Sequence, residues 1–304
     1  VVHTYLACST TIHSEIRLPE LPPADDVSPD VTIEHRESDS RAAAPLPDGP
    51  SATNGYGEVV VPDPDRLVVQ PVTGCTPTAV RHLVLGLGFR LLFYHRGHLV
   101  VHGCAVAIDG DAVVFFGEPG VGKSTLSAAF DAAGCPILTD DVVVISDPDA
   151  PVVHRCFSGA KLDDDTATRF DLSVVDGEEG GPRRQYRRPT TTATERAYPL
   201  KRLYQLAPAA ETKIHPLGPT ESGFQLLGNS FNEYVEETDE FDHDRVSAHF
   251  EQCLQLVQSV GGVSRVERAH GIDALSDIVD AVVADLDGTP SEEPTEQPSE
   301  EPTG

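Results

Sequence analysis

The sequence predicts an α/β fold built around one strand–loop–helix unit, and three observations carry that reading. The apolar run "AVVFF" leads into "GEPGVGKST" at 117–125 and then into the helix-like "LSAAFDAAG". Strand-like stretches flank this unit, "HLVVHGCAVAI" before it and "CPILTDDVVVIS" after it. Three helical patterns, at 220–230, 243–260 and 272–286, then close the chain.

Taken in order, residues 1–75 read as a β-rich region of short strands. "VHTYLACSTTIHSEI" is rich in β-branched residues, "PDVTIEH" is a second short strand, and "GEVVVPDPDRLVVQ" supplies two more. The intervening "SDSRAAAPLPDGPSATNG" reads as a flexible loop. A connecting helix over 76–97 begins at Thr76, a capping residue, with Pro77 where its missing N–H costs nothing. Its apolar positions Val80, Leu83, Val84, Leu87, Leu91 and Leu92 keep a helical period, so they should pack on a core. Residues 98–288 hold the α/β unit; in the helix over 243–260, Val246, Phe250, Leu254 and Val257 recur on one face. The acidic, proline-rich stretch 289–304 has nothing to bury and is expected to be disordered.

Composition narrows the classes. The chain has 304 residues and a formal net charge of -27, with lysine only at 123, 161, 201 and 213. Acidic excess with little lysine suits a salt-rich cytosol, where screening removes the repulsion between carboxylates. A halophilic, haloarchaeal source is therefore expected; an ordinary acidic protein is the plainer alternative. Such a surface excludes a general nucleic-acid partner, which needs a concentrated basic face. The six cysteines are scattered, without a close pair, and read as reduced thiols of a cytoplasmic protein. No signal-peptide pattern opens the sequence, and the most apolar stretch, Leu83 to Tyr94, is too short to span a bilayer and contains Arg90. No membrane role is expected.

The loop meets G-x-x-x-x-G-K-[ST] in full with Gly117, Gly122, Lys123 and Ser124, between them Glu118, Pro119, Gly120 and Val121, and Thr125 follows. Glycines let the backbone wrap a phosphate, the helix start aims N–H groups at it, the lysine reaches the outer phosphates, and the serine hydroxyl can ligate Mg²⁺. Asp140 and Asp141 follow the next strand, where the metal needs a second partner. Two adjacent carboxylates permit a division of labour, one on the metal and one accepting a proton; alternatively Asp141 is a solvated turn residue. His102 could orient a carboxylate, hold a phosphate or be structural. "RRQYRR" could close over phosphates or receive an acidic peptide, although a solvated loop offsetting "DGEEGG" is the favoured reading. Lys161 and Arg155 could face the same pocket, and Asp163, Asp164 and Asp165 read as surface charge, although one could replace a metal-binding glutamate.

Together, "VVHGCAVAIDGDAVVFFGEPGVGKSTLSAAFDAAGCPILTDDVVVIS" resembles the catalytic core of the HPr kinase/phosphorylase family and its HPr-kinase-like relatives. His102 precedes Lys123 by 21 positions and Asp141 follows it by 18, in keeping with that family's spacing. "YLACSTTIHSEIRLPELPP" is similar to the opening of the relatives, and "YPLKRLYQL" and the closing helices resemble them more loosely. The resemblance implies a P-loop kinase core of the HPr kinase and phosphoenolpyruvate carboxykinase type, using ATP and Mg²⁺. It implies that Lys123 contacts phosphate, Ser124 and Asp140 hold the metal, Asp141 accepts the hydroxyl proton and His102 supports it. It further implies a protein or peptide acceptor and a possible homo-oligomer. Two departures limit it. Thr125 stands where the true HPr kinases carry glutamate, and "SGAKLDDDTATRF" stands near the place of their later signature segment. The implication is therefore a serine kinase, without the HPr substrate or the phosphorylase reaction. A non-catalytic ATP-binding regulator or peptide-recognition module, and a hydrolytic NTPase, are the competing readings.

Overall fold

Alternating burial organises the first layer. β1 (His3–Ala7), β2 (Thr10–Ser14), β3 (Val31–His35), β4 (Ser51–Asn54), β5 (Gly57–Asp63) and β6 (Arg66–Pro71) form a six-stranded sheet in the order β1-β2-β3-β6-β5-β4. In β2 the buried residues are Thr10, Ile12 and Ser14, the period of a strand with one face on a core. The computed structural model of the chain describes residues 1–25, 27–37, 46–175, 184–187, 193–231, 243–269, 271–272 and 274–288. The acidic tail, Arg183 and Arg188, and much of the loop expected over 38–55 lie outside the described residues. Within that loop the expectation fails at Ser51–Asn54, which is strand β4, hairpinned to β5 with Asn54 opposite Gly57. The Asn54 side-chain oxygen accepts the Tyr56 N–H at 2.8 Å and shapes the turn. Small polar residues hid this strand because its pairing comes from β5 and only Ala52 is buried.

The connecting helix starts as expected, the Thr76 hydroxyl accepting the Ala79 N–H at 3.2 Å. It is not continuous. α1 (Pro77–His82) widens into a π-helical segment, Leu83–Gly88, before α2 (Phe89–His95) resumes. Leu83, Val84, Leu87, Leu91 and Leu92 are all buried, in one cluster with Ile12, Ile33 and Leu67 of the first sheet.

The second layer begins at β7 (Leu99–Val101), β8 (Gly103–Ile108), β9 (Asp111–Phe116) and α3 (Lys123–Ala132). β10 (Ile137–Asp140), β11 (Val143–Ser146), β12 (Val152–His154), β13 (Ala160–Leu162), α4 (Asp164–Arg169), β14 (Ser173–Val174) and β15 (Arg184–Arg187) follow. β16 (Ala197–Pro208), β17 (Lys213–Pro216), α5 (Pro219–Asn229), α6 (His243–Ser259), β18 (Val263–Arg268) and α7 (Leu275–Leu286) complete it. The main sheet runs β10-β8-β9-β16-β12-β11-β7, with β18 and β17 added beside β16, so the fold is mixed α/β with mixed sheets. Its long strand β16 joins two arms: Ala197–Pro199 pair with β12, and Leu200–Gln205 pair with β9. β9 is an unbroken apolar run because both its faces are covered. Val113 and Phe115 meet α3 and α7 in one cluster, and Ala112, Val114 and Phe116 join Leu226 of α5 and Leu256 of α6 in another.

This topology corrects the reading of "HLVVHGCAVAI" as one strand. The chain leaves the far arm at Val101 and enters the near arm at Gly103, so His102 is the crossing point. A second crossing lies at Asp141 and Val142, between β10 and β11. Two changes of arm therefore bring residues 39 apart in sequence side by side.

The cysteine reading also needs correction. Cys8 and Cys156 form a disulfide across 148 residues, tying the first sheet to the segment after β12. The Cys8 N–H donates to the Arg155 carbonyl at 2.9 Å, so backbone pairing sets the two cysteines together. Sequence spacing holds no sign of such a contact. Cys104 and Cys253 are buried thiols, and Cys75 and Cys135 are partly buried. Among the described residues no helix is long and apolar enough to cross a membrane.

Two packed histidines predict an acid-sensitive fold. Burial, then the neighbouring His154 and Arg96, lowers His98 from 6.5 to about 4. Burial, then Lys161 and Arg81, likewise lowers His82 to about 4, against the pull of Asp141. Between those values the unfolded chain binds protons that the folded chain refuses, so stability falls as pH drops from about 6.5 towards 4. Denaturant midpoints measured across that range should decline. The double variant His82→Gln, His98→Gln should decline less, and an equal decline would remove these two groups as the cause.

Candidate functional site

The loop after β9 is shaped by close approach. A side chain at Gly117 would place its Cβ 2.7 Å from the Leu206 carbonyl oxygen of β16. Gly122 caps α3 in the left-handed region at φ 95, and a Cβ there would lie 2.0 Å from Nη1 of Arg268. Only glycine serves at either place. No side chain caps the start of α3, which leaves its N–H groups for an anion. From the other side, the Arg268 guanidinium donates to the Val121 carbonyl at 2.9 Å.

Lys123 is 8% exposed, and its ammonium donates to the carbonyls of Gly117 at 2.6 Å and Glu118 at 3.2 Å. Burial lowers its pKa, against the pull of Asp140 and Asp141. At the next residue of the helix, the Ser124 hydroxyl donates to Oδ1 of Asp140 at 3.0 Å. Oδ2 of Asp140 accepts the Lys161 N–H at 2.8 Å, so both carboxylate oxygens are held. At 1% exposure, burial raises the Asp140 carboxyl to about 6, helped by the Asp141 charge and opposed by the Lys161 N–H, Ser124 and His102.

Asp141 sits in the left-handed region at φ 76, a conformation that aspartate tolerates better than most residues. The turn aims it back at the other crossing point. Nδ1 of His102 lies 3.1 Å from both Oδ1 and the main-chain oxygen of Asp141. Neither oxygen can donate, so Nδ1 carries the proton and donates to them. Burial by itself would raise the Asp141 carboxyl. The His102 hydrogen bond, with the charges of His102, Lys161 and Arg90, instead holds it well below the ordinary carboxylate range. The π-helical segment comes close here, since a Cβ on Gly86 would be 3.9 Å from Oδ2 of Asp141. Such irregular turns often border functional groups.

These groups share one cleft of about 230 Å³. It is lined by Pro119, Gly120 and Gly122–Thr125 from the loop and helix start, together with His102, Asp140, Asp141 and Lys161. Of the residues expected at the site, Gly117, Glu118 and Val121 do not line it; they support Lys123 and Arg268 from behind through their carbonyls. Lys161, left uncommitted by the sequence, is in the wall. Arg155 turns away and donates to the Ala193 carbonyl. Asp163 caps α4, accepting the Thr166 N–H at 2.9 Å, and Asp164 accepts from the Tyr186 hydroxyl; neither lines the cleft. Arg268 escaped sequence reading altogether because no pattern links position 268 to the loop.

A larger hollow of about 500 Å³ lies at the ends of β2, β3 and β6 in the first sheet. Volume alone does not make it the reactive centre, because none of the loop residues reach it. The smaller cleft gathers the polar groups. Its chemistry fits a phosphorylated ligand with a hard cation: uncapped N–H groups, a buried ammonium, and the oxygens of Ser124 and Asp140 within 3.0 Å of each other. Among the described residues no group of three or more His, Cys, Asp or Glu side chains is gathered to hold a metal, so a cation here would need oxygens from the ligand or water as well.

No protein-family model matches the chain. No curated protein matches it either. Among solved structures, it is similar to the HPr(Ser) kinase/phosphatase from Coxiella burnetii. That likeness has 14% identity and a TM-score of 0.29 and covers 61% of this chain and 94% of that one. So loose an overlap assigns no residue a role, and the reading of the cleft rests on its own geometry.

Proposed function

We propose that this chain is an ATP-dependent, Mg²⁺-assisted serine kinase of HPr-kinase-like type, moving the γ-phosphoryl group to a hydroxyl on a protein or peptide. The observation that carries the reading is the His102–Asp141 contact at 3.1 Å, in the same cleft as Lys123 and Ser124. Nucleotide binding alone has no use for an oriented carboxylate beside the phosphate site.

Lys123 and the N–H groups of the loop and helix start hold the phosphates. Ser124 and Asp140 would hold Mg²⁺, which when bound supplies neutralising charge to the outer phosphate oxygens. Asp141 receives the acceptor's proton. As that O–H bond breaks, the hydroxyl oxygen bonds to the γ-phosphorus, and the bond from that phosphorus to the bridging oxygen breaks to release ADP. A weakly basic carboxylate suffices, because transfer is largely dissociative and the proton leaves late. What matters is that Asp141 is ionised and aimed, and the Nδ1–H of His102 does both.

The test is incubation of the full chain with γ-labelled ATP, Mg²⁺ and a library of serine-containing peptides in high-salt buffer, since the acidic surface is read as halophilic. Label is expected on peptide or protein. Label found only as free phosphate would make the chain a hydrolytic NTPase. Unchanged ATP with retained binding would make it an ATP-binding regulator.

A further inference from the structure

We propose that Lys161 is a second catalytic cation, meeting the transferred phosphoryl group in the cleft it shares with Lys123. The inference rests on the kinase reading and adds to it a residue that no pattern in the loop identifies.

The first support is position. Lys161 and Lys123 line the same cleft, one from β13 and the other from the start of α3. The Lys161 backbone is not free to wander: its N–H is bound by Oδ2 of Asp140 at 2.8 Å, and it stands opposite Gln185 in the β13–β15 ladder. The side chain is thus rooted beside the carboxylate assigned to the metal. Lys161 and Asp141 also both border a second, small hollow of about 20 Å³, so the two residues lie close together. Its charge is one of those that keep the Asp141 carboxyl ionised.

The second support is composition. Only four of the 22 basic side chains are lysine, and two of those four face this cleft. The other two are surface groups: Lys201 is 40% exposed, 3.8 Å from Asp111, and Lys213 is 60% exposed, 3.2 Å from Glu211. A chain that otherwise relies on arginine has placed two lysines in the lining of one cleft. The third support is chemical demand. Lys123 already divides its donors between two carbonyls, whereas charge in phosphoryl transfer spreads over three equatorial oxygens. A second cation in the same cleft covers oxygens that Lys123 leaves exposed. Lys161 forms no bond and moves no proton; it stabilises charge.

The experiment compares Lys161→Ala and Lys161→Arg with the unaltered chain in high salt and Mg²⁺, measuring ATP and ADP affinity by equilibrium dialysis and transfer in a single turnover. Loss of Lys161 should weaken ATP about tenfold and leave ADP unchanged, because only ATP presents the γ-phosphoryl group, and should slow transfer by about 10²–10³-fold. Lys161→Arg should recover part of both. Lys161→Gln, which retains the backbone contact with Asp140, replaces the alanine variant if that one does not fold. ATP and ADP weakened equally, or both unchanged, would overturn the inference. Should the unaltered chain transfer nothing, the kinase reading fails, and the ATP-over-ADP difference still decides whether Lys161 meets a γ-phosphate.

Discussion

Lys123→Ala is expected to abolish measurable phosphoryl transfer and to weaken both ATP and ADP by about two orders of magnitude, close to 3 kcal/mol. Its ammonium is almost enclosed, and the loop carbonyls of Gly117 and Glu118 hold it where the phosphates would lie. Burial makes that charge costly to keep without partners, so a phosphate arriving there meets a cation already stripped of much of its water. Alanine removes the charge and also leaves two carbonyls without their donor, so the loop loses its brace. Both nucleotides suffer because Lys123 lies beneath the loop itself; this sets it apart from Lys161. Calorimetric titration with ADP and ATP, alongside the labelled-transfer assay, checks the result. Transfer within tenfold of the unaltered chain would refute the assignment.

Asp141→Asn should do something different: transfer lost by about 10³-fold, near 4 kcal/mol, with nucleotide affinity changed no more than a few-fold. Asparagine keeps the shape, can still accept the His102 Nδ1–H, and is at ease at a φ of 76, so the local backbone should persist. What it cannot do is take a proton from an alcohol. A single-turnover assay at saturating ATP separates the two effects, since binding is then no longer limiting. An Asp141→Asn chain that transfers at the normal rate would leave this carboxylate a structural neighbour of His102 and nothing more.

Much of this site was legible in the sequence. The loop's glycines, lysine and serine announce themselves because a phosphate cradle is local: strand, loop and helix are consecutive, and backbone geometry restricts which residues fit. Asp140 was legible for the same reason, at the end of the next strand. Two features were less so: Lys161 was open to reading only as a residue that could face the pocket, alongside Arg155, and Arg268 was not singled out at all. Lys161 reaches the cleft only because β13 runs past Asp140, and Arg268 reaches the loop only because β18 lies parallel to β16, itself parallel to β9. Composition offered a hint for Lys161 in its rarity as a lysine. It offered none for Arg268.

The misread elements share one cause. "SATN" became a strand through its partner, Cys8 found Cys156 through the backbone contact at Arg155, and the connecting helix widened against the first sheet. Each outcome depends on residues far away along the chain. A propensity reading weighs neighbours and so cannot see them.

By itself, then, the amino-acid order determined the phosphate-cradle pattern, the alternation of strands and helices, and the strongly acidic character, since each follows from residues adjacent in sequence or from their sum. Tertiary structure alone decided that His102 and Asp141 touch, because two strands change arms of the sheet at those two residues. The physical reason is that hydrogen-bond ladders, each satisfied only by a remote partner, determine where the chain crosses over. A histidine-held carboxylate beside the glycine-rich loop is a property of that crossing and of no single segment.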